Sequence, residues 1–230
     1  MLTLVTYPPA FGEPSASPFC VKAIYTLNLA GQPWQRQDTN DPRSWPKGKL
    51  PALWIDDTII GDSDNIRHWL EENGAELDQG LSDLDRATAR AFIRMAEEHM
   101  YFHIVLDRWG DNAVWPIVRD TYFAAVPKWL RGFVTSTLRR ALLKGMNAQG
   151  LGRLTAGERL DRIEPDLKAI SDRLWQGPFL FGARPTSADA SVAAMLGAMA
   201  ATPGGTALSR RVKDDLVLSD YVARVAKALG

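Results

Sequence analysis

The residues that could do chemistry fall in a few short stretches. The first is Ser15-Ala16-Ser17-Pro18-Phe19-Cys20-Val21-Lys22. A helical pattern begins at Ser17, with Pro18 at the first helical position, where a missing N–H costs nothing. Ser17 is therefore an N-cap, its hydroxyl set among amide N–H groups that have no partner inside the helix. The macrodipole adds roughly +0.5 of an elementary charge there. Such a helix start favours an anion, a thiolate included. Capping alone would account for one serine, so the functional reading needs the other stretches. Gly48-Lys49-Leu50-Pro51-Ala52-Leu53 puts a proline at the mouth of a strand, a candidate cis peptide that would turn the Leu50 backbone out of the sheet. An outward N–H and C=O could pair with an extended, peptide-like ligand as an added strand does. Asp62-Ser63 opens another helix, where backbone N–H groups and the Ser63 hydroxyl can bind a carboxylate.

Other reactive side chains have blander expectations. Cys20 is the only cysteine, which excludes an intramolecular disulfide and any Cys-x-x-Cys or cysteine-rich metal site. It is expected to be buried and inert, as free cysteines usually are. His99 and His103 lie four residues apart beside Glu98, the spacing of a two-histidine metal site. No third ligand is apparent, and Glu-His-x-x-x-His is not the metalloprotease pattern. Helix packing or lining of a cleft is their expected role, and no metal is assigned.

The elements that must position these residues change character along the chain. Leu2–Thr6 reads as a strand, and Tyr7 to Ala16 as a Pro/Gly-rich loop. Ser17–Ala30 reads as a helix with apolar positions at Phe19, Ala23, Tyr25 or Thr26, Leu27 and Ala30, stopped by Gly31. Pro33–Gln37 is a second strand, and Asp41–Gly48 a loop or broken helix. Ala52–Ile55 and Thr58–Ile60 flank an Asp56-Asp57 turn, and a helix runs from Asp62 to Asn73-Gly74. From about Ser82 nothing resembles a strand. Leu84, Ala87, Ala91, Met95, Phe102, Leu106 and Trp109 fall at helical spacing, with Arg86, Arg90, Arg94 and Glu97 on another face. Further helices are expected at 114–147, with Pro127 a candidate break, and at 155–175, 186–201, 205–212 and 214–228. The division is a small α/β unit over 1–74, a linker over 75–81 and an all-α unit over 82–230.

Bulk composition narrows the function. The chain has 230 residues, 46% hydrophobic and 23% charged, ordinary values for a soluble globular protein. Its formal net charge is zero, so no overall imbalance argues for nucleic acid or an anionic membrane. The N-terminus lacks the basic-then-apolar pattern of a secretion signal. The longest weakly polar run, Ala190–Ala201, is too short to span a bilayer. A reducing cytoplasm is the expected compartment.

Together these motifs resemble the glutathione transferase superfamily over nearly the whole chain. The implied fold is α/β + all-α, an N-terminal thioredoxin-like domain followed by a C-terminal all-helical domain. Ser17-Pro18-Phe19-Cys20 sits where glutaredoxins carry Cys-Pro-Tyr-Cys. Lys49-Leu50-Pro51 looks like the family's cis-proline segment, and Asp62-Ser63 like its acidic-Ser pair for the γ-glutamyl end. Pro185-Thr186-Ser187-Ala188-Asp189 resembles its buried capping box, in which Thr186 would cap the Asp189 amide and Asp189 would reach back. In detail the chain is most similar to the metaxin-like, failed-axon-connections-like branch. The residues that suggest it are Ser17-Pro18-Phe19-Cys20-x-Lys22, Lys47 to Pro51, Asp62-Ser63, Arg94-Met95-Ala96-Glu97-Glu98-His99 and Arg108-Trp109.

The resemblance implies glutathione as co-substrate and attack of its thiolate on a small apolar electrophile, in a symmetric homodimer. Ser17 is the first choice as thiol activator, since a hydroxyl at the helix start can donate to the thiolate. Tyr7 is the rival and Ser15 a substitute. Lys49 would meet the glycine carboxylate, and Tyr101, Phe102, Val105, Trp109 and Trp115 would line the acceptor pocket. Two alternatives accompany this reading. One is a non-catalytic interaction module with the Tyr7–Ala16 loop folded over the site. The other is a monothiol, glutathione-dependent reductase working through Cys20.

Overall fold

The computed structural model describes all 230 residues. The N-terminal unit is built from β1 (Leu2–Thr6), α1 (Pro18–Ala30), β2 (Trp34–Asp38), β3 (Ala52–Ile55), β4 (Thr58–Gly61) and α2 (Ser63–Glu72). The strand order is β2-β1-β3-β4, with β2 parallel to β1 and the other neighbours antiparallel. This is a thioredoxin-like domain. β1 is central and buried along its length. β2 is an edge, which is why Gln35, Arg36, Gln37 and Asp38 can be polar and exposed.

The rest of the chain is helical. It comprises α3 (Asp83–Met95), α4 (Tyr101–Val105), α5 (Trp115–Tyr122), α6 (Lys128–Gln149), α7 (Ala156–Leu174), α8 (Ser187–Ala200), α9 (Ala207–Lys213) and α10 (Leu216–Leu229). Two π turns, Ala96–Met100 and Leu106–Gly110, continue α3 and α4 as one long helical rod. The break at Pro127 separates α5 from α6, because a proline cannot supply an interior helix hydrogen bond. No helix is long and apolar enough to cross a membrane.

α8 is the axis of the helical domain, buried from Ser187 to Met199. Its N-terminus is held by polar side chains. Asp189 Oδ2 accepts from the Thr186 amide at 2.8 Å and the Thr186 hydroxyl at 2.9 Å. Asp189 Oδ1 accepts from the Leu180 amide and the Tyr221 hydroxyl, both at 2.9 Å. Asp78, in the segment between α2 and α3, accepts from the Ser187 amide and hydroxyl. That segment therefore caps the central helix as well as connecting the domains.

Two expected faces are different in the structure. α1 is buried on all sides from Cys20 to Leu27, because it lies between the sheet and α8. Lys22 is therefore fully buried, with its ammonium 2.5 Å from Glu97 Oε1, which also accepts from the Ser191 hydroxyl at 2.7 Å. Glu97 is thus a core partner, and not part of a solvated face. On α3 the buried positions are Ala89 and Ile93, continued by Ala96 and Met100, because this small-residue stripe meets α8. Leu84, Ala87 and Ala91 are exposed instead.

Candidate active site

The β1–α1 loop begins the site. Phe11 and Gly12 have positive φ, and Ala10 and Glu13 exchange backbone hydrogen bonds at 3.2 and 3.0 Å. This tight hairpin stands beside a cavity of about 320 Å³ between the domains and does not fill it. Pro8, Ala10, Ala16 and Ser17 form one wall. Tyr101, Val105, Arg108 and Trp109 form the opposite one, closed above by Tyr122, Phe123 and Leu138. Phe102 and Trp115 are not on the wall. Phe102 packs against the Val105, Leu106 and Met146 cluster, and Trp115 stacks behind Trp109 at 4.8 Å.

Ser17 occupies the N-cap of α1 with extended backbone, yet its hydroxyl makes no capping bond. It faces the cavity at the positive end of α1. Ser15 differs. It is buried, its hydroxyl donates to the Tyr7 carbonyl at 2.8 Å, and it accepts from Thr6 Oγ1 at 3.0 Å. That hydroxyl is committed to holding the loop. The Tyr7 side chain lines the cavity, and burial, then the neighbouring Cys20 and Tyr101, push its phenol up to about 12. At neutral pH Tyr7 is a donor and not a phenolate.

Cys20 lies below Ser17 with no exposed surface, packed on Val5, Leu50 and Ala52. Burial pushes its thiol up, against smaller opposing contributions from the neighbouring polar groups of Thr6, Tyr7, Ser15 and Ser17. A reductase needs an accessible thiolate, and this geometry opposes one. Native protein should therefore react with an aromatic disulfide reagent at least 100-fold more slowly than denatured protein. Fast native labelling would restore the reductase reading.

The second stretch adjoins the first through Cys20. The Leu50–Pro51 peptide is cis. The Leu50 side chain is buried, and its backbone N–H and C=O make no hydrogen bond within the chain. The Asp62 amide donates to the Pro51 carbonyl at 3.2 Å, tying this segment to the start of α2. Asp62 has φ +82°, caps α2 through the Asp64 amide at 2.9 Å, and is exposed. Ser63 behind it is buried. Lys49 is exposed and unpaired. Burial alone would raise Asp64, but bonds from Arg90 and Arg67 and the charge of Lys22 hold it well below the usual carboxylate range. Those contacts join α1, α2 and α3, fixing the Asp62-Ser63 helix start against the Ser17 helix.

Arg108 is the residue whose role the sequence leaves unread. It is buried and bridges four acceptors: the Ala16 carbonyl at 3.2 Å, the Tyr122 hydroxyl at 2.6 Å, the Ala198 carbonyl at 2.7 Å and Thr202 Oγ1 at 3.2 Å. It also lies 5.4 Å from the Phe11 ring centroid. Burial raises the nearby Glu13 carboxyl, while Arg108 opposes that rise. The Arg108-Trp109 pair was the signal available, but nothing local shows that its target is the residue before Ser17.

His99 and His103 stand away from the cavity. His99 Nδ1 is 2.5 Å from Asp166, and His103 Nε2 is 3.4 Å from His99 Nε2. Burial, then the neighbouring His99, push His103 down to about 4, so it is neutral at physiological pH.

Sequence profiles match this chain in two places: the glutathione S-transferase N-terminal domain over residues 18–114 and the glutathione S-transferase C-terminal domain over 138–224. The isoprene-epoxide–glutathione S-transferase of Rhodococcus sp. (strain AD45) is 34% identical over 99% of this chain and 98% of its own length. The chain belongs to the glutathione S-transferase family. Human metaxin-2 is 24% identical over 64% of this chain and 56% of its own length. Failed axon connections of Drosophila melanogaster is 30% identical over 80% of this chain and 46% of its own. The metaxin-like affinity is therefore real, and it coexists with full-length similarity to a transferase. A glutathione transferase of Ceriporiopsis subvermispora, solved with glutathione, superposes with a TM-score of 0.63 at 16% identity, covering 99% of this chain and 97% of that one. In this glutathione transferase Ser17 and an aromatic wall share the interdomain cavity, whereas Lys49, Leu50, Pro51, Asp62 and Ser63 lie outside its lining and join it through the Cys20 cluster.

Proposed function

We propose that the protein conjugates glutathione to a small apolar electrophile and that the electrophile is an epoxide. Glutathione lies along Lys49, Leu50, Pro51, Asp62 and Ser63, with its sulfur at Ser17. The Ser17 hydroxyl and the α1 N-terminus stabilise the thiolate. The observation that carries this reading is the uncommitted Ser17 hydroxyl facing a cavity walled by Tyr101, Val105 and Trp109. The epoxide class is supported by the isoprene-epoxide activity for which the Rhodococcus relative is named. A homodimer belongs to the same reading, and the exposed strip of Leu84, Ala87 and Ala91 on α3 is consistent with it.

Epoxide opening forms a carbon–sulfur bond, breaks a carbon–oxygen bond and leaves an alkoxide that must take a proton. The Tyr122 hydroxyl is engaged by Arg108 and the Ala16 carbonyl. The Tyr101 hydroxyl has no partner in the chain, and burial, then Tyr122, keep its pKa raised, so it carries its proton. Tyr101 is the donor in this reading. Tyr101→Phe should lower kcat/KM for a small alkyl epoxide roughly 100-fold. Turnover of 1-chloro-2,4-dinitrobenzene should be spared, because chloride leaves without a proton. Parallel assays of glutathione consumption with both substrates check this. Equal losses on the two would assign Tyr101 to packing, and absence of wild-type turnover on any epoxide would remove the substrate class.

A further inference from the structure

The chain is neutral overall, but α6 is not. Its 22 residues contain Lys128, Arg131, Arg139, Arg140 and Lys144 and no acidic residue. The rest of the molecule is correspondingly net acidic, so the balance in the whole chain conceals a cationic rod.

Only part of α6 is packed down. Leu142, Leu143 and Met146 seat its C-terminal half against Val105 and Leu106. Arg131 and Arg139 are engaged with backbone carbonyls. What remains is an outward stripe at helical spacing: Trp129, Phe133, Arg140 and Lys144. At 100° per residue these four fall within about 60° of one another. Trp129 is 81% and Phe133 77% exposed, among the most exposed large apolar side chains of the protein. Neither Arg140 nor Lys144 makes an ion pair. They border an open groove of about 650 Å³ that Arg119 and Arg139 also line.

Two exposed aromatics and unpaired cations on one stripe are the makings of an interfacial helix, with rings at headgroup depth and cations on phosphates. An antiparallel copy would set Trp129 and Phe133 against Lys144 and Arg140 and would bring no negative charge to the stripe, so charge complementarity favours an anionic occupant. We propose that the outer face of α6 docks the protein on a membrane surface bearing anionic phospholipid. The inference rests on α6 alone and not on the conjugation reading.

The test is sedimentation of the full chain with unilamellar vesicles of phosphatidylcholine, alone or mixed with phosphatidylserine. Wild type should pellet with the mixed vesicles only, and less as salt is raised. Arg140→Gln with Lys144→Gln should weaken binding about fivefold per neutralised cation. Trp129→Ser with Phe133→Ser should abolish it. Both double variants should keep wild-type circular dichroism and wild-type glutathione conjugation, since none of the four residues lines the cleft. Failure to pellet with the mixed vesicles, equal pelleting with both lipids, or a double variant that binds like wild type would each overturn the proposal.

Discussion

Ser17→Ala is expected to lower kcat/KM roughly 100-fold, the effect of removing one positioned donor to a reacting anion. The bound glutathione thiol should ionise close to free glutathione in the variant and well below it in the wild type. The sign follows from the geometry. A donor to the thiolate favours the charged form and lowers its pKa, so its removal moves the rising limb of the pH–rate profile to higher pH. The stability of the protein should change little, because the Ser17 hydroxyl makes no capping bond whose loss would weaken α1. The measurement is the ultraviolet thiolate band of the complex across pH, with calorimetric titration of glutathione on the same samples. A shift that survives the substitution would transfer the activating role to Tyr7 or to the α1 amides. No glutathione binding by wild type would sink the transferase reading and leave an interaction module on this fold.

Arg108→Met should be the most damaging single change in the cleft. It removes the donor from two carbonyls and two hydroxyls in a buried setting. Unsatisfied buried acceptors cost about 1–3 kcal/mol each, partly recovered by relaxation. A net loss of about 3 kcal/mol is expected, or about 6–12 °C in Tm for a chain of this size. Below the new transition the variant should still lose at least tenfold in kcat, because the Ala16 carbonyl that Arg108 holds immediately precedes Ser17. Arg108→Lys restores the charge but not the planar fork, so it should recover little of either loss. Thermal denaturation and steady-state kinetics on the pair decide the matter. A lysine variant that matched wild type would mean that only charge is needed and that the clamp on Ala16 is incidental.

The same contrast runs through the fold. The Ser17 N-cap, the cis Leu50–Pro51 peptide, the Asp62-Ser63 helix start and the Thr186–Asp189 box are local events, complete within about four residues. A sequence carries such information in plain order, because each rests on a residue's own backbone preference, joined at Asp62 and in the Thr186–Asp189 box by a hydrogen bond to a near neighbour. The break at Pro127 is legible for the same reason. The α3 face was not. Two apolar stripes compete on that helix, and the choice of Ala89, Ile93 and Ala96 is made by the small-residue surface of α8, roughly a hundred residues later. Glu97 reads as a surface charge until Lys22 is placed beside it. The zero net charge likewise hides α6, since a sum over the chain cannot report which face its cations share.

The sequence by itself determined the family, the two-domain order and the local backbone devices, the cis Leu50–Pro51 peptide and the Asp62-Ser63 helix start among them. It also placed Ser17 at the N-terminus of α1, the end of a helix that favours an anion. Only the tertiary structure decided which hydroxyls are free: Ser15 is committed to Tyr7 and Thr6, while Ser17 and Tyr101 face the cavity. It also brought Arg108 to Ala16 across 92 positions of chain. The physical reason is range. Capping and turn energies act between neighbours in sequence, whereas burial and charge pairing act between neighbours in space.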